Sequence, residues 1–387
     1  MREFQVVIIG GGTAGVTVAA RLRRAGVSDV AVVEPSSTHY YQPLWTLVGG
    51  GRASVEASAR PTGAVLPRGV TWIRDSAVEV RALSRRVVLE REEISYRWLV
   101  VCPGIRLDWD RLIGLREAVG RDGVSSNYAY EYAPAMWKFI RDTRSGTAVF
   151  GMPSGPVKCA GAPQKIAYLA ADHWRRTGAS VEVHLVLPGP AIFGVPEYAA
   201  VLERVASRLG VRVHLGSEVV EVRPARRDVV VRTPSGVMTL PYDVAHLVPP
   251  QSAPGWVARS ALAGESGFVD VDPGTLRHRE FPEVFALGDV AGTPNAKTGA
   301  AVRRQAPVVV GNLLAARAGV EPPFGYGGYA SCPITTGRGS LVLAEFDYSG
   351  RPTPSLGLPV GEVRDFGLVK RVGLPFLYWN LMLRGMV

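Results

Sequence analysis

Two of the chain's three cysteines stand in settings that make a thiol reactive. Cys159 lies in Val157-Lys158-Cys159-Ala160-Gly161-Ala162-Pro163-Gln164-Lys165, at the entry to a predicted helix. A helix N-terminus and flanking lysines favour thiolate over thiol there. Cys332 lies in Tyr329-Ala330-Ser331-Cys332-Pro333-Ile334-Thr335-Thr336-Gly337, again with a proline following. A thiolate can attack sulfur or pass charge to a bound electron acceptor. Spacing leaves two readings open, a redox pair or two small buried apolar residues, because 173 residues separate position 159 from 332. Three cysteines in 387 residues make no disulfide framework, and no C-x-x-C spacing suggests zinc.

The second chemical signature is glycine. Phe4–Ile9 reads as a buried strand, and Gly10-Gly11-Gly12-Thr13-Ala14-Gly15 follows directly. Val16–Ala25 then reads as a helix stopped by Gly26, and Val30–Val33 as a strand ending on Glu34. This is a βαβ unit with G-x-G-x-x-G at Gly10, Gly12 and Gly15 and an acid 24 residues after Gly10. The glycines permit a tight turn and close approach of a pyrophosphate to the helix N-terminus. Glu34 would accept hydrogen bonds from a ribose and repel a 2′-phosphate. Val70–Val80 and Arg86–Glu90 read as short antiparallel strands, and Trp98–Val101 as a further strand running into Cys102-Pro103-Gly104. Cys102 itself reads as structural. Much later, Val284–Leu287 runs into Gly288-Asp289. This order resembles flavoproteins with two dinucleotide-binding domains. In them the first motif holds the ADP half of FAD, and a distant Gly-Asp carboxylate binds the ribityl or pyrophosphate region; Asp289 takes that place.

Between these halves, Thr147–Phe150, a helix over Pro163–Thr177, Val181–Leu187 and Val211–His214 have the period of a second Rossmann-like unit. Its turn reads Gly151-Met152-Pro153-Ser154-Gly155-Pro156-Val157-Lys158-Cys159. Two prolines, a lysine and a cysteine stand where a pyrophosphate needs bare backbone, so nicotinamide is not expected to bind. Pro322-Pro323 mark a boundary. The expected fold is α/β: a discontinuous FAD-binding Rossmann domain over 1–110 and 275–323, a second Rossmann-like domain over 111–274, and a separate C-terminal segment over 324–387.

A hydrophobic share of 47% with 20% charged residues excludes a disordered chain. Forty-four Lys and Arg against 34 Asp and Glu leave a net +10, which suits an anionic partner. Those residues are dispersed and no reading motif appears, so nucleic acid is not expected. The N-terminus opens on a strand with no basic leader, so no signal peptide is expected, and no stretch is long and apolar enough to span a bilayer. Leu374–Val387 carries one charge, Arg384, and follows Lys370 and Arg371. A 14-residue helix apolar nearly all round either docks on its own core or dips into one leaflet.

Gly10–Gly15, His39-Tyr40-Tyr41-Gln42-Pro43-Leu44-Trp45-Thr46-Leu47, Val157–Lys165, Tyr329–Gly337 and Leu374-Pro375-Phe376-Leu377-Tyr378-Trp379-Asn380 resemble the sulfide:quinone oxidoreductases, most closely the mitochondrial-type branch. The resemblance runs over nearly the whole chain. It implies non-covalent FAD and a bridged pair formed by Cys159 and Cys332. Sulfide would attack at Cys332 and leave a persulfide there, releasing Cys159 toward the flavin. The flavin is then reduced and the bridge restored, and the persulfide sulfur passes to sulfite, a thiol or more sulfide. FAD contacts carry over to Gly12, Thr13, Glu34, Gln42, Pro43, Val78 (backbone, at the adenine), Asp289 with Gly288, and Lys297, a cation for the reduced flavin's negative edge. Quinone contacts fall on Lys165, Lys370, Phe376 and Tyr378. The resemblance also implies peripheral, monotopic binding to an anionic membrane surface, placed on the cytoplasmic face, and leaves a homodimer open. The alternative is a type II NADH:quinone oxidoreductase, against which the missing second glycine fingerprint speaks.

Overall fold

Arg2–Ile9 (β1) is a strand whose Val6, Val7, Ile8 and Ile9 are all buried, the continuous apolar run of a strand covered on both faces. The computed structural model describes residues 1–355, 357–364 and 367–387. Thr13–Arg24 (α1) follows the glycine turn, with Arg21, Arg23 and Arg24 in its last turn, where they complement the helix dipole. Next come Val30–Val33 (β2), Thr71–Ile73 (β3), Ala77–Arg81 (β4), Arg86–Leu89 (β5) and Glu93–Val101 (β6). The order across this sheet is β3-β2-β1-β6-β5-β4, with β1 parallel to both β2 and β6.

The second unit contains Val124–Ser125 (β7), Ser145–Gly151 (β8), Ala162–Thr177 (α2), Ser180–Val186 (β9), Pro196–Leu209 (α3), Val211–His214 (β10) and Val244–Leu247 (β11). Its sheet runs β7-β11-β8-β9-β10, parallel throughout. The chain then returns to the first sheet: Val284–Ala286 (β12) pairs in parallel with β6, Val284 opposite Leu99. Gly299–Arg317 (α4) packs against α1, its first turn capped by Thr298 Oγ1, which accepts from Ala301 N at 3.1 Å. Ala330–Thr335 (β13), Ser340–Phe346 (β14) and Glu362–Arg364 (β15) form a small antiparallel sheet, and Leu374–Asn380 (α5) is the last α-helix.

Three expectations change. The first unit resumes before residue 275: Val257, Leu262, Phe268, Val269, Val271 and Leu276 fill its core. Gln251–Ser252, paired antiparallel to Arg106–Leu107, carries the chain back early. Residues 324–387 are not a separate body either. Cys332, Ile334, Val342 and Ala344 belong to the core of the second unit, whereas Tyr378, Trp379, Met382 and Leu383 belong to that of the first. Finally, the helix expected over 374–387 ends at Asn380. A 3-10 turn over Met382–Arg384 and Gly385 at φ 69° follow, because the segment bends over the first unit to bury those four side chains. Among the described residues, no helix is long and apolar enough to cross a membrane.

Candidate active site

The loop before α2 and strand β13 bring the two cysteines together: Cys332 belongs to the core of the second unit and Cys159 packs against it, and Gly161, two residues after Cys159, lies against the Cys332 sulfur. Lys165, one turn into α2, places Nζ 3.2 Å from Cys159 Sγ. The neighbouring Cys332 thiol and the ammonium of Lys165 hold the Cys159 thiol well below its ordinary value, against the effect of burial. The same neighbour, Cys159, together with burial, pushes Cys332 well above it. Lys165, which touches Cys159, makes it the sulfur better suited to carry the negative charge. Burial works against charge on Lys165, but the two sulfurs outweigh it and the ammonium is stabilised. Gly161 makes room for the pair, since a Cβ there would sit 2.7 Å from Cys332 Sγ.

Cys159 is held in a left-handed backbone conformation, φ 50°. Its N–H donates to Lys297 O at 2.9 Å, and its carbonyl accepts from Ala162 N at 2.8 Å and Tyr128 Oη at 3.0 Å. Lys370 is buried beside the pair, its Nζ donating to Pro333 O at 2.7 Å and to Thr335 Oγ1. Burial and the neighbouring Lys165 push Lys370 well down, making it the more readily deprotonated of the two lysines.

The glycine turn forms the adjoining cradle. A Cβ on Gly10, which sits at φ +104°, would lie 2.3 Å from Cys102 O, and one on Gly15 would lie 1.8 Å from Gly10 O. Over Gly12 there is open space, at the N-terminus of a helix with no side-chain cap and no acid in its first turn. Those free N–H groups and that space fit a pyrophosphate. Glu34 is held by Gly11 N at 2.7 Å and Ser36 N at 2.8 Å, each oxygen keeping a lone pair for a ribose. Lys158 donates to Gln42 Oε1 at 2.7 Å and, with Lys297, opposes the rise that burial gives Asp289. Lys297 donates to Ala291 O at 3.0 Å, and burial brings it down to about 8. Gly288 N donates to Gln305 Oε1, and Pro43 starts the 3-10 turn after Tyr41. The residues present thus fit FAD, which Gly12, Thr13, Glu34 and Asp289 would hold. In the second unit the equivalent turn is filled from inside: Glu218 Oε1 accepts from both Ser154 N (2.8 Å) and Ser154 Oγ (2.9 Å). A carboxylate there repels a pyrophosphate.

The pyridine nucleotide-disulphide oxidoreductase family model matches residues 4–306. The mouse mitochondrial sulfide:quinone oxidoreductase is 39% identical over 391 residues, covering 99% of this chain and 87% of the mouse protein. The chain belongs to the sulfide:quinone oxidoreductase family. Its relative in Dictyostelium discoideum is 40% identical over 98% of this chain and 86% of that protein. The sulfide:quinone oxidoreductase of Aquifex aeolicus shares the fold, with a TM-score of 0.83, 17% identity and coverage of 100% of this chain and 92% of that one. The type II NADH:quinone oxidoreductase of Mycobacterium tuberculosis is more distant, 27% identical over 90% of this chain and 81% of its own length. As a member of the sulfide:quinone oxidoreductase family, the chain is an FAD-dependent oxidoreductase.

For a sulfide:quinone oxidoreductase, the four residues expected at a quinone have different surroundings. Lys165 and Lys370 stand at the cysteines, but Phe376 is 60% exposed. Tyr378 points inward: its hydroxyl lies 2.6 Å from His39 Nε2 and 2.9 Å from Thr13 Oγ1. His39 Nδ1 faces Gly11 O at 3.0 Å, and a carbonyl only accepts, so Nδ1 carries the proton. Tyr378 therefore donates to His39 and accepts from Thr13, which ties α5 to the phosphate turn. Val78 falls where the β4–β5 ladder shifts register, between Ala77 and Glu79, an extra residue whose backbone the ladder leaves free. It lines a cleft with Trp256 and Arg259, apart from Glu34. Sequence reasoning missed Tyr128, His39 and Thr335; each is a lone polar residue whose partner lies far along the chain.

Proposed function

We propose that the chain oxidises sulfide to sulfane sulfur on Cys159 and Cys332 and delivers two electrons through FAD to a membrane quinone. The observation that carries this is the meeting of two cysteines from distant parts of the chain, with Gly161 against the Cys332 sulfur and the buried Lys165 ammonium 3.2 Å from the Cys159 sulfur. In the bridged state, hydrosulfide attacks Cys332 Sγ. A new S–S bond forms there, and the bond to Cys159 breaks, leaving its electron pair on Cys159 as a thiolate that Lys165 stabilises. An acceptor nucleophile (sulfite, a thiol or further sulfide) then removes the outer sulfur, and Cys332 is left as a thiolate. Re-forming the bond between the two cysteines releases the two electrons that FAD takes and passes to quinone. Lys165 and Lys370 stand ready to polarise the quinone carbonyl.

The net charge of +10 and the exposed apolar residues of the C-terminal segment support peripheral binding to an anionic membrane surface, which we place on the cytoplasmic face. Formation of a homodimer is left to measurement. The test is an anaerobic titration of the yellow protein with sulfide, following the flavin band, with NADH as a parallel reductant. Bleaching by micromolar sulfide, reversed by a short-chain quinone and lost in both Cys159→Ala and Cys332→Ala with FAD retained, is the expected result. Bleaching by NADH alone would overturn it in favour of the NADH:quinone reading.

A further inference from the structure

Away from the cysteines, the turn between β13 and β14 borders a cleft of about 330 Å3 rich in arginine. Arg208 is already matched there, its guanidinium forking onto Glu362 at 2.6 and 2.8 Å. Arg176 shares Asp172, at 3.8 Å, with Arg175 at the same distance. Among the described residues, Arg338 and Arg364, also in the cleft wall, form no ion pair with a carboxylate. Arg52 feels the positive charges of Arg338, Arg371 and Arg176, with Asp172 the one opposing acid. Like charges gathered this closely repel unless an anion joins them.

The chain next to this cleft is apolar and turned outward. Gly367 lies against the backbone of Arg338 and Gly339, which places the start of the C-terminal segment on the cleft's rim. From there Leu368 (63% exposed), Val369 (43%), Val372 (52%) and Phe376 (60%) present side chains to solvent over two successive turns. The opposite side of the same segment is anchored inward through Lys370, Tyr378 and Trp379. A rigidly backed apolar ridge beside a row of guanidiniums is what an interfacial element needs: apolar side chains for the acyl boundary and cations at phosphate depth.

We propose that this cleft is a phosphate-headgroup site, in which Arg176, Arg338 and Arg364 hold an anionic phospholipid while Leu368 and Val372 enter the bilayer beside it. The inference rests on the membrane reading above and adds the surface and the lipid chemistry to it. Guanidinium suits the task because its planar fork meets two phosphate oxygens at once. The partner is an anionic bilayer, because the apolar ridge next to the arginines has no role in binding free phosphate.

The test is co-sedimentation of the holoenzyme with vesicles of phosphatidylcholine alone and of phosphatidylcholine with phosphatidylglycerol. The wild type is expected to prefer the anionic vesicles, and Arg176→Ser with Arg338→Ser to weaken that binding on the order of thirtyfold, at about fivefold per cation. Arg176→Lys with Arg338→Lys, which keeps the charge but loses the planar fork, should bind between the wild type and the serine variant, which separates lost charge from lost fold. Leu368→Ser with Val372→Ser should weaken binding to both vesicle types. Equal binding to the two vesicles, or an unchanged preference in the serine variant, would overturn the proposal. So would release of the wild type by millimolar inorganic phosphate at constant ionic strength, which would mark a free-phosphate site. Sulfide-driven reduction of a water-soluble quinone, measured on the same variants, reads the chemistry separately and should not change.

Discussion

Cys159 occupies a backbone conformation that costs a non-glycine residue roughly 1–2 kcal/mol, and three hydrogen bonds to its own amide and carbonyl keep it there. The gain is aim: the sulfur faces Lys165 and Cys332 without waiting for a rotamer. The charge on Lys165 sets where that thiolate forms. Because the Cys159 pKa is depressed, the sulfur is reactive above that value, and reactivity is lost as pH falls through it. Lys165→Met moves this limb to higher pH. In the reduced protein near pH 6, alkylation of Cys159 by iodoacetamide, mapped by mass, should slow on the order of tenfold for every pH unit by which the limb moves. An unchanged rate-against-pH curve would remove Lys165 from this role. Gly161 acts by absence. Its missing Cβ leaves space for the Cys332 sulfur, so Gly161→Ala, which would meet that sulfur at 2.7 Å, should displace it. Sulfide-dependent flavin reduction should fall on the order of a hundredfold while bound FAD, read from the flavin band, stays constant. These contacts are not legible in the sequence. Nothing local says that Lys165, six residues on, will meet the Cys159 sulfur, or that a strand begun at residue 330 will supply the second one.

The elements differ in how openly the sequence declares them. The unit from β1 through β2 is legible because all its instructions are local: a β-branched run, glycines at the turn, an acid at the end of the second strand. The C-terminal segment is not. Leu374, Phe376, Leu377, Tyr378 and Trp379 surround the helix axis, so the pattern has no polar side to tell inward from outward. The structure resolves this through one hydroxyl, that of Tyr378, which can satisfy its hydrogen bonds at His39 and Thr13. Burial lowers the His39 pKa from 6.5 to about 4, and this carries a stability signature. Unfolded, the imidazole takes its proton near 6.5; folded, only near 4. The contribution is therefore complete above about pH 6.5 and is lost as pH falls toward 4, on the order of 3 kcal/mol in all. In His39→Gln that part of the pH dependence, measured by urea unfolding at fixed excess FAD, should flatten. In Tyr378→Phe, stability at pH 7.5 should fall by about 1–2 kcal/mol, and amides of residues 374–384 should exchange faster. Unchanged exchange there would mean that the hydroxyl does not hold the segment.

Across the whole molecule, the cysteines tie together parts of the chain that the linear order keeps apart. Cys159 belongs to the loop between β8 and α2 of the second unit, and Cys332 to a strand that arrives only after the chain has gone back to finish the first sheet. The strand reaches Cys159 because Ile334, Val342 and Ala344 pack into the same core as Ile166 and Ala170 of α2. Apolar burial thus brings the sulfurs together, and in the proposed chemistry the redox state sets whether they are joined. A bond between positions 159 and 332 closes a loop of 173 residues, and restricting the unfolded chain over that length is worth about 5 kcal/mol on the chain-entropy account, with 2–4 kcal/mol the usual yield. The oxidised protein should therefore resist urea more than the protein reduced by a thiol, at the same free FAD concentration so that cofactor linkage cancels. Cys332→Ser should match the reduced wild type and ignore the reductant. Cys102, buried against Gly10 and far from either sulfur's partners, supplies the control, since Cys102→Ala should keep the full redox difference while losing some core packing. Were the wild type equally stable in both redox states, the pair could not be bridging two separated stretches of chain, and the sulfur chemistry would have to run through persulfides carried on unlinked cysteines.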